Sequence, residues 1–142
     1  TALLAHLGHE ADPSVREMIL TSLIPRDEAA VGRGLADHLR SEDAGLRNGV
    51  IEALQRMPAA ATAVVDELLS DPDPDVRIFA VNVVAELRHP RAPDWLQRVL
   101  EHEPHLNVCA AAIDAAAEVG TPATVPALRA AGGRFPEQPF VA

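Results

Sequence analysis

Two short clusters of histidine and glutamate are the residues of this sequence best suited to metal chemistry. His6, His9 and Glu10 form one cluster, and residues 101–105, Glu-His-Glu-Pro-His, form the other. Imidazole nitrogens and carboxylate oxygens are ligands that bind zinc or iron. Both clusters fall in predicted turns, where such side chains are usually solvated. We therefore expect neither cluster to hold a metal, and we expect no cofactor.

Nucleophilic catalysis has less support. Cys109 lies near the start of a predicted helix, where the pKa of a thiol can be lowered, but a free cysteine more often packs as a small apolar side chain. No serine lies in a Gly-x-Ser-x-Gly turn, and the pair Gly32 and Gly34 lacks the strand and the lysine of a nucleotide site. We therefore expect a protein that is not an enzyme.

Composition favours an all-α fold. Of the 142 residues 48% are hydrophobic, but only three are Phe, one is Trp and none is Tyr. Ala, Leu and Val must therefore build the core, which suits closely packed helices better than sheets. The single cysteine excludes an internal disulfide, and we find no signal segment and no run of eighteen apolar residues. We expect a cytoplasmic protein.

The charge of the chain excludes one class of partner. All twelve basic residues are Arg, and the net charge is -9. Affinity for nucleic acids depends on clustered Lys and Arg, so an acidic chain is a poor candidate for it. We expect no nucleic acid and no membrane as partner, and a basic protein partner fits better.

A repeat of about thirty residues runs through the chain. Four segments superpose without gaps, and their apolar anchors, Val15, Leu46, Val76 and Val108, lie 31, 30 and 32 residues apart. Each anchor follows a residue that is favoured at helix N-caps, so each segment predicts a helix. The predicted N-caps are Ser14, Gly45, Asp75 and Asn107. Positions 0, +4, +5 and +8 from each anchor are apolar and form one stripe at the helical period.

A shorter apolar pattern precedes each of these helices, so each repeat predicts a helical hairpin. The shorter patterns cover residues 3–7, 31–39, 64–69, 95–100 and 125–128, and the last of these helices is predicted to end at Gly132 and Gly133. The hairpins are predicted near residues 1–26, 27–57, 58–88 and 91–120, with an incomplete fifth at 121–142. Phe140 stands where the next second helix would begin. We expect residues 1–142 to form one repeat array and to be a piece of a longer one.

An arginine follows three of the four anchors, at Arg16, Arg47 and Arg77, and by this feature the repeat resembles HEAT repeats. The resemblance is to the short bacterial subset called bilin-lyase-type or PBS-lyase-like, and it covers nearly the whole chain. It implies a right-handed α-α superhelix, an armadillo-like solenoid of about four and a half hairpins. It also implies that these arginines hydrogen-bond to loop carboxylates or carbonyls between hairpins. Cys109 departs from the pattern, so we expect the fourth junction to lack one such link.

The exposed face of the second helices is the candidate binding surface. Positions two, six and ten residues past each anchor point away from the apolar stripe. In HEAT repeats this side is concave and binds partners, so the resemblance implies a protein-binding or scaffolding module. An apolar spot at Ile78 and Phe79 within acidic surroundings suits a basic or amphipathic segment of another protein. The predicted partner-binding residues are Glu17, Glu52, Ile78, Phe79, Asn82, Glu86, Asp114 and Glu118.

Functions of other classes are also implied by the resemblance. The repeat subtype suggests a bilin lyase or a lyase-chaperone subunit acting on a chromophorylated protein, in which case co-expression with a bilin should colour the protein. Deoxyhypusine hydroxylase holds iron with His-Glu pairs at the start of several second helices, whereas the pairs here lie in turns. A DNA-binding module of the alkylpurine glycosylase kind conflicts with the net charge of -9.

Overall fold

A computed structural model describes residues 2–135, and within this range the chain forms α-helices and short 3₁₀ turns without any strand. The predicted all-α fold is confirmed. The helices are α1 (Ala2–Leu7), α2 (Pro13–Leu23), α3 (Ala29–Ala36), α4 (Ala44–Gln55), α5 (Pro58–Leu69), α6 (Pro74–Leu87), α7 (Ala92–His102), α8 (Leu106–Val119) and α9 (Val125–Arg134). The chain divides into two compact units, one ending at Glu67 and the other beginning at Leu68. Phe140, where a further helix was predicted, lies outside the described residues.

The predicted apolar stripe of the second helices, α2, α4, α6 and α8, supplies much of the core. Its sixteen positions are buried except for Val15, Ile113 and Ala116, which are half-buried. The position seven residues past the anchor is also buried in α4, α6 and α8, although we did not assign it to the core. A second helix is therefore covered over a wider arc than the stripe alone, because it contacts neighbouring helices of its own unit.

The second helices begin two residues earlier than predicted. Their N-caps are Asp12, Asp43, Asp73 and His105, and the side chain of each accepts a hydrogen bond from a backbone N–H in the first turn. The predicted N-caps, Ser14, Gly45, Asp75 and Asn107, lie inside the helices. Two of the true caps are followed by proline, which is favoured at the first helical position because its ring fixes a helical φ. Asp-Pro was therefore the stronger start signal in the sequence.

Two of the first helices also end differently from the predicted patterns. The pattern at residues 31–39 is α3 followed by a 3₁₀ turn, Asp37–Arg40, which buries Leu39. The two glycines predicted to end the last helix, Gly132 and Gly133, lie within α9, which continues to Arg134. Glycine only weakens a helix, so a residue beyond it that makes tertiary contacts can keep the last turn formed.

A residue from another hairpin caps the start of α5. The carboxylate of Asp27 accepts hydrogen bonds from the backbone N–H groups of Ala59, at 3.1 Å, and Ala60, at 2.7 Å. These are donors of the first helical turn, which have no partner inside the helix. Asp27 lies 32 and 33 residues away from them in the chain. The contact ties the start of the second hairpin to the start of α5.

Close approach at this junction predicts a marked effect of one added methyl group. A Cβ built at Gly32 lies 2.4 Å from the backbone oxygen of Ala60, whereas a Cβ at Gly133 in α9 has nothing within 4 Å. Gly32→Ala should destabilise the protein by about 1–3 kcal/mol, because backbone must move to make room. Gly133→Ala should stabilise it by about 0.5–1 kcal/mol through the helix propensity of alanine. Urea unfolding of both variants tests the pair, and an unchanged midpoint for Gly32→Ala would contradict the close approach.

Candidate functional site

A turn of the same construction precedes each second helix. The first residue of the turn, two positions before the N-cap, accepts a hydrogen bond on its side chain from the N-cap backbone N–H, at 2.9–3.1 Å in the four turns. Its backbone carbonyl accepts a second hydrogen bond from the side chain that follows the helix anchor. These first residues are Glu10, Ser41, Asp71 and Glu103. Each second helix therefore holds its own preceding turn in a fixed conformation.

Arginine provides the second hydrogen bond in three of the four turns. Arg16 donates from Nε to the Glu10 carbonyl at 2.6 Å, Arg47 donates from Nη1 to the Ser41 carbonyl at 2.7 Å, and Arg77 donates from Nη1 to the Asp71 carbonyl at 2.8 Å. The predicted hydrogen bonds to loop carbonyls are thus confirmed for all three arginines.

Two of these arginines also reach the turn of the next hairpin within their unit. Arg16 donates from Nη2 to the Asp43 carboxylate at 2.7 Å, and Asp43 remains 45% exposed. Arg77 binds both oxygens of Glu103, at 2.9 and 2.8 Å, and Glu103 is only 5% exposed. Such a bidentate pair fixes distance and orientation together. Arg77 therefore joins two successive turns around a buried charge.

Cys109 occupies the arginine position of the fourth turn. Its thiol lies 3.4 Å from the Glu103 carbonyl, as a donor, and accepts from Arg134 Nη2 at 3.6 Å. Arg134 also donates to the carbonyls of Leu100 and Glu101 at the end of α7, where a cation complements the helix dipole. The missing link predicted at Cys109 is therefore partly replaced from α9.

The surroundings of Cys109 do not favour a reactive thiol. The side chain has no exposed surface, and burial raises the pKa of its thiol. The hydrogen bond from Arg134 acts in the opposite direction but does not cancel the effect of burial. The expected packing of Cys109 as a small apolar side chain is confirmed, and desolvation is the largest influence on its pKa. Cys109 is a packed thiol.

Acid should weaken the contact between Arg16 and Asp43. The hydrogen bond from Arg16 holds the pKa of the Asp43 carboxyl below its ordinary value of 3.8. Because folding lowers this pKa, the contact stabilises the protein above about pH 4, and the stabilisation is lost as pH falls through the lowered value. Asp43→Asn should therefore reduce stability at pH 7. It should also make the further loss of stability below pH 4 smaller than in the wild type. Urea unfolding at pH 7 and pH 3 measures both effects, and a wild-type pH profile in Asp43→Asn would contradict this assignment.

The two histidine clusters have structural partners. His6 Nε2 lies 2.8 Å from Glu10 Oε2, and this contact lowers the pKa of Glu10. In the second cluster Glu103 points to Arg77, and His105 caps α8. Within residues 2–135 no three His, Cys, Asp or Glu side chains are grouped closely enough to hold a metal ion.

In the first unit the exposed sides of α2 and α4 enclose a groove of about 670 Å³. Leu20, Gly49 and Ala53 lie along its floor, and two of the predicted binding residues, Glu17 and Glu52, line it. We call this feature the α2–α4 groove. The prediction named Glu17 and Glu52 but not the floor residues. The sequence feature that could have indicated them is Gly49, three residues past the anchor of α4. In the structure a Cβ at this position would lie 2.8 Å from the Leu20 side chain.

In the second unit α6 packs along α8, and the remaining predicted binding residues lie on these two helices. Asn82, Glu86, Asp114 and Glu118 are exposed, as the helical phase predicts. Ile78 and Phe79 are half-buried, so only part of the predicted apolar spot reaches the surface. The physical reason is that two adjacent residues on a helix differ by about 100° and cannot both point straight to solvent beside a packed neighbour. Met18, 69% exposed, is the most exposed large apolar side chain among residues 2–135.

Comparison with known proteins agrees with the repeat architecture. Among residues 2–135 every helix is too short or too polar to cross a lipid bilayer. A search of curated proteins found no match. A family model described as HEAT repeats matches residues 61–134, which is more than half of the chain. The chain therefore belongs to the HEAT-repeat family.

Proposed function

We propose that this protein is an interaction or scaffolding module that binds a basic or amphipathic segment of another protein on the exposed faces of its second helices. HEAT repeats generally mediate protein–protein interaction or scaffolding, and the family is typically non-enzymatic. On the same reasoning we propose Glu17, Glu52, Asn82, Glu86, Asp114 and Glu118 as contacts, with Ile78 and Phe79 as apolar edges. A bacterial cytoplasm is the location that we propose.

One observation carries this proposal. Five carboxylates on the second helices are exposed and have no hydrogen bond or ion pair within residues 2–135. They are Glu17, Glu52, Glu86, Asp114 and Glu118. Exposed carboxylates are common on helices, but all five of these lie two, six or ten residues past a helix anchor, on the side opposite the core. An array of unpaired negative charge on one side of each unit attracts a positively charged partner and orients it.

Affinity capture from a bacterial lysate tests the proposal. The wild-type protein is compared with Glu52→Arg/Glu86→Arg, which reverses two charges on the second helices and leaves the core intact. The matched control is Asp37→Arg/Glu67→Arg, two exposed positions outside the second helices that give the same change in net charge. We expect specific proteins to be retained by wild type and control and lost by the first variant. Equal retention by all three would overturn the proposal.

A further inference from the structure

We infer that the α2–α4 groove binds a protein segment in which a basic residue lies between Glu17 and Glu52 and an acidic residue faces Arg56. The inference rests on the proposed function and makes it specific, because it assigns one groove, one kind of occupant and one direction. Three observations support it: the charges in the groove, the apolar residues along its floor, and the position of Arg56, the one cation of the groove without a partner within residues 2–135.

The middle of the groove has a net negative charge. Glu17 lies on α2 and Glu52 on α4, and both are exposed and unpaired within the described part of the chain. Arg16 also lines the groove, but it is bound to the Glu10 carbonyl and the Asp43 carboxylate. The Arg16–Asp43 pair is therefore neutral as a whole. The carboxylates of Glu17 and Glu52 remain available to a cation.

The floor suits the aliphatic part of a long basic side chain. Leu20 on α2 and Ala53 on α4 are apolar, largely buried residues that line the groove. A Cβ at Gly49 would lie 2.8 Å from the Leu20 side chain, so Leu20 packs directly against the backbone of α4 at the groove. Lys and Arg bury their methylene stems along apolar surface while the charged end stays at a polar rim. A volume of about 670 Å³ lies within the range of sites that enclose a ligand, about 300–1,000 Å³.

Arg56 gives the groove a direction. It follows the last residue of α4, lines the groove, and is exposed without a partner among residues 2–135. It lies four residues beyond Glu52, which is one helical turn. Along α4 the groove therefore changes from negative to positive charge over about 6 Å. A bound segment with a basic residue followed by an acidic residue matches this order, and the reverse order places like charges together.

Peptide selection tests the inference without a known partner. Random dodecapeptides displayed on phage are selected on the full chain and counter-selected on Glu17→Arg/Glu52→Arg. We expect enriched peptides to carry Lys or Arg next to an aliphatic residue, with Asp or Glu at a constant distance on one side. Binding of the synthetic peptides should weaken at least tenfold in Glu17→Arg/Glu52→Arg and stay within twofold in Asp37→Arg/Glu67→Arg. The backbone amide signals of Gly45 and Gly49, which line the groove, should shift on binding.

A charge exchange at Arg56 separates this inference from simple attraction to an acidic protein. Arg56→Glu should weaken the binding of the selected peptides at least fivefold. The same variant should bind more tightly those peptides whose acidic residue is replaced by Lys. Peptides without a basic residue, or no enrichment at all, would overturn the groove assignment. If binding survives Glu17→Arg/Glu52→Arg but is lost in Glu86→Arg/Glu118→Arg, the groove inference fails while the proposed function stands. The lysate capture decides the proposed function separately.

Discussion

Arg77→Ala should lower the free energy of unfolding by about 3–5 kcal/mol. The substitution leaves the Glu103 carboxylate, 5% exposed, without its two hydrogen bonds from the guanidinium. It also removes the hydrogen bond to the Asp71 carbonyl. A buried charge that has lost its partner has a large desolvation penalty, which exceeds the value of the ion pair itself. Urea unfolding at pH 7 measures the loss.

The equivalent substitution two repeats earlier, Arg16→Ala, provides the control. Arg16→Ala removes the same kind of side chain, but its carboxylate partner Asp43 is 45% exposed and can be hydrated. We expect a loss of about 1–2 kcal/mol, mostly from the hydrogen bond to the Glu10 carbonyl, because surface ion pairs contribute about 0–1 kcal/mol. Equal losses for the two variants would show that burial of Glu103 does not matter.

The effect of the unpaired buried charge can be separated from the effect of lost packing by substituting Arg77 in a Glu103→Gln background. In Glu103→Gln the neutral amide still accepts the hydrogen bond that Glu103 receives from the His105 backbone N–H. Arg77→Met should therefore cost much less in this background than in the wild type, because no charge is left unpaired. The difference between the two costs is the coupling energy of the pair. A coupling energy near zero would contradict the buried-charge explanation.

Leu54→Ala should lower the free energy of unfolding by about 2–5 kcal/mol. Leu54 lies eight residues past the anchor of α4 and has no exposed surface, so its truncation leaves a cavity in the first unit. Glu52→Ala, two residues away on the exposed side, should change stability by less than about 0.5 kcal/mol. The two variants therefore compare opposite sides of one helix. Similar shifts in thermal melting would contradict the helical phase on which the binding face also depends.

Local patterns in the sequence were sufficient to predict the helices and their buried sides. The spacing of Val50, Ile51 and Leu54 defines one side of α4 without knowledge of any other helix, because the helical period is a property of the backbone. The exposure of Glu17 and Glu52 follows from the same period. The predicted cap positions were wrong, because residues two apart, such as Asp12 and Ser14, compete for one role and the proline after Asp12 favours the earlier start.

Contacts between distant residues were decided by the tertiary structure alone. Asp27 caps α5 across more than thirty residues, and Arg134 reaches Cys109 from α9. Nothing in the local sequence around Glu103 distinguishes a solvated turn residue from the buried partner of Arg77. The close approach of Leu20 on α2 to Gly49 on α4, within the α2–α4 groove, is likewise decided by the packing of the two helices. The sequence by itself determined which residues form helices and which sides are apolar, since these depend on neighbours in the chain. Partners and grooves required the packed fold, because they depend on which helices come together.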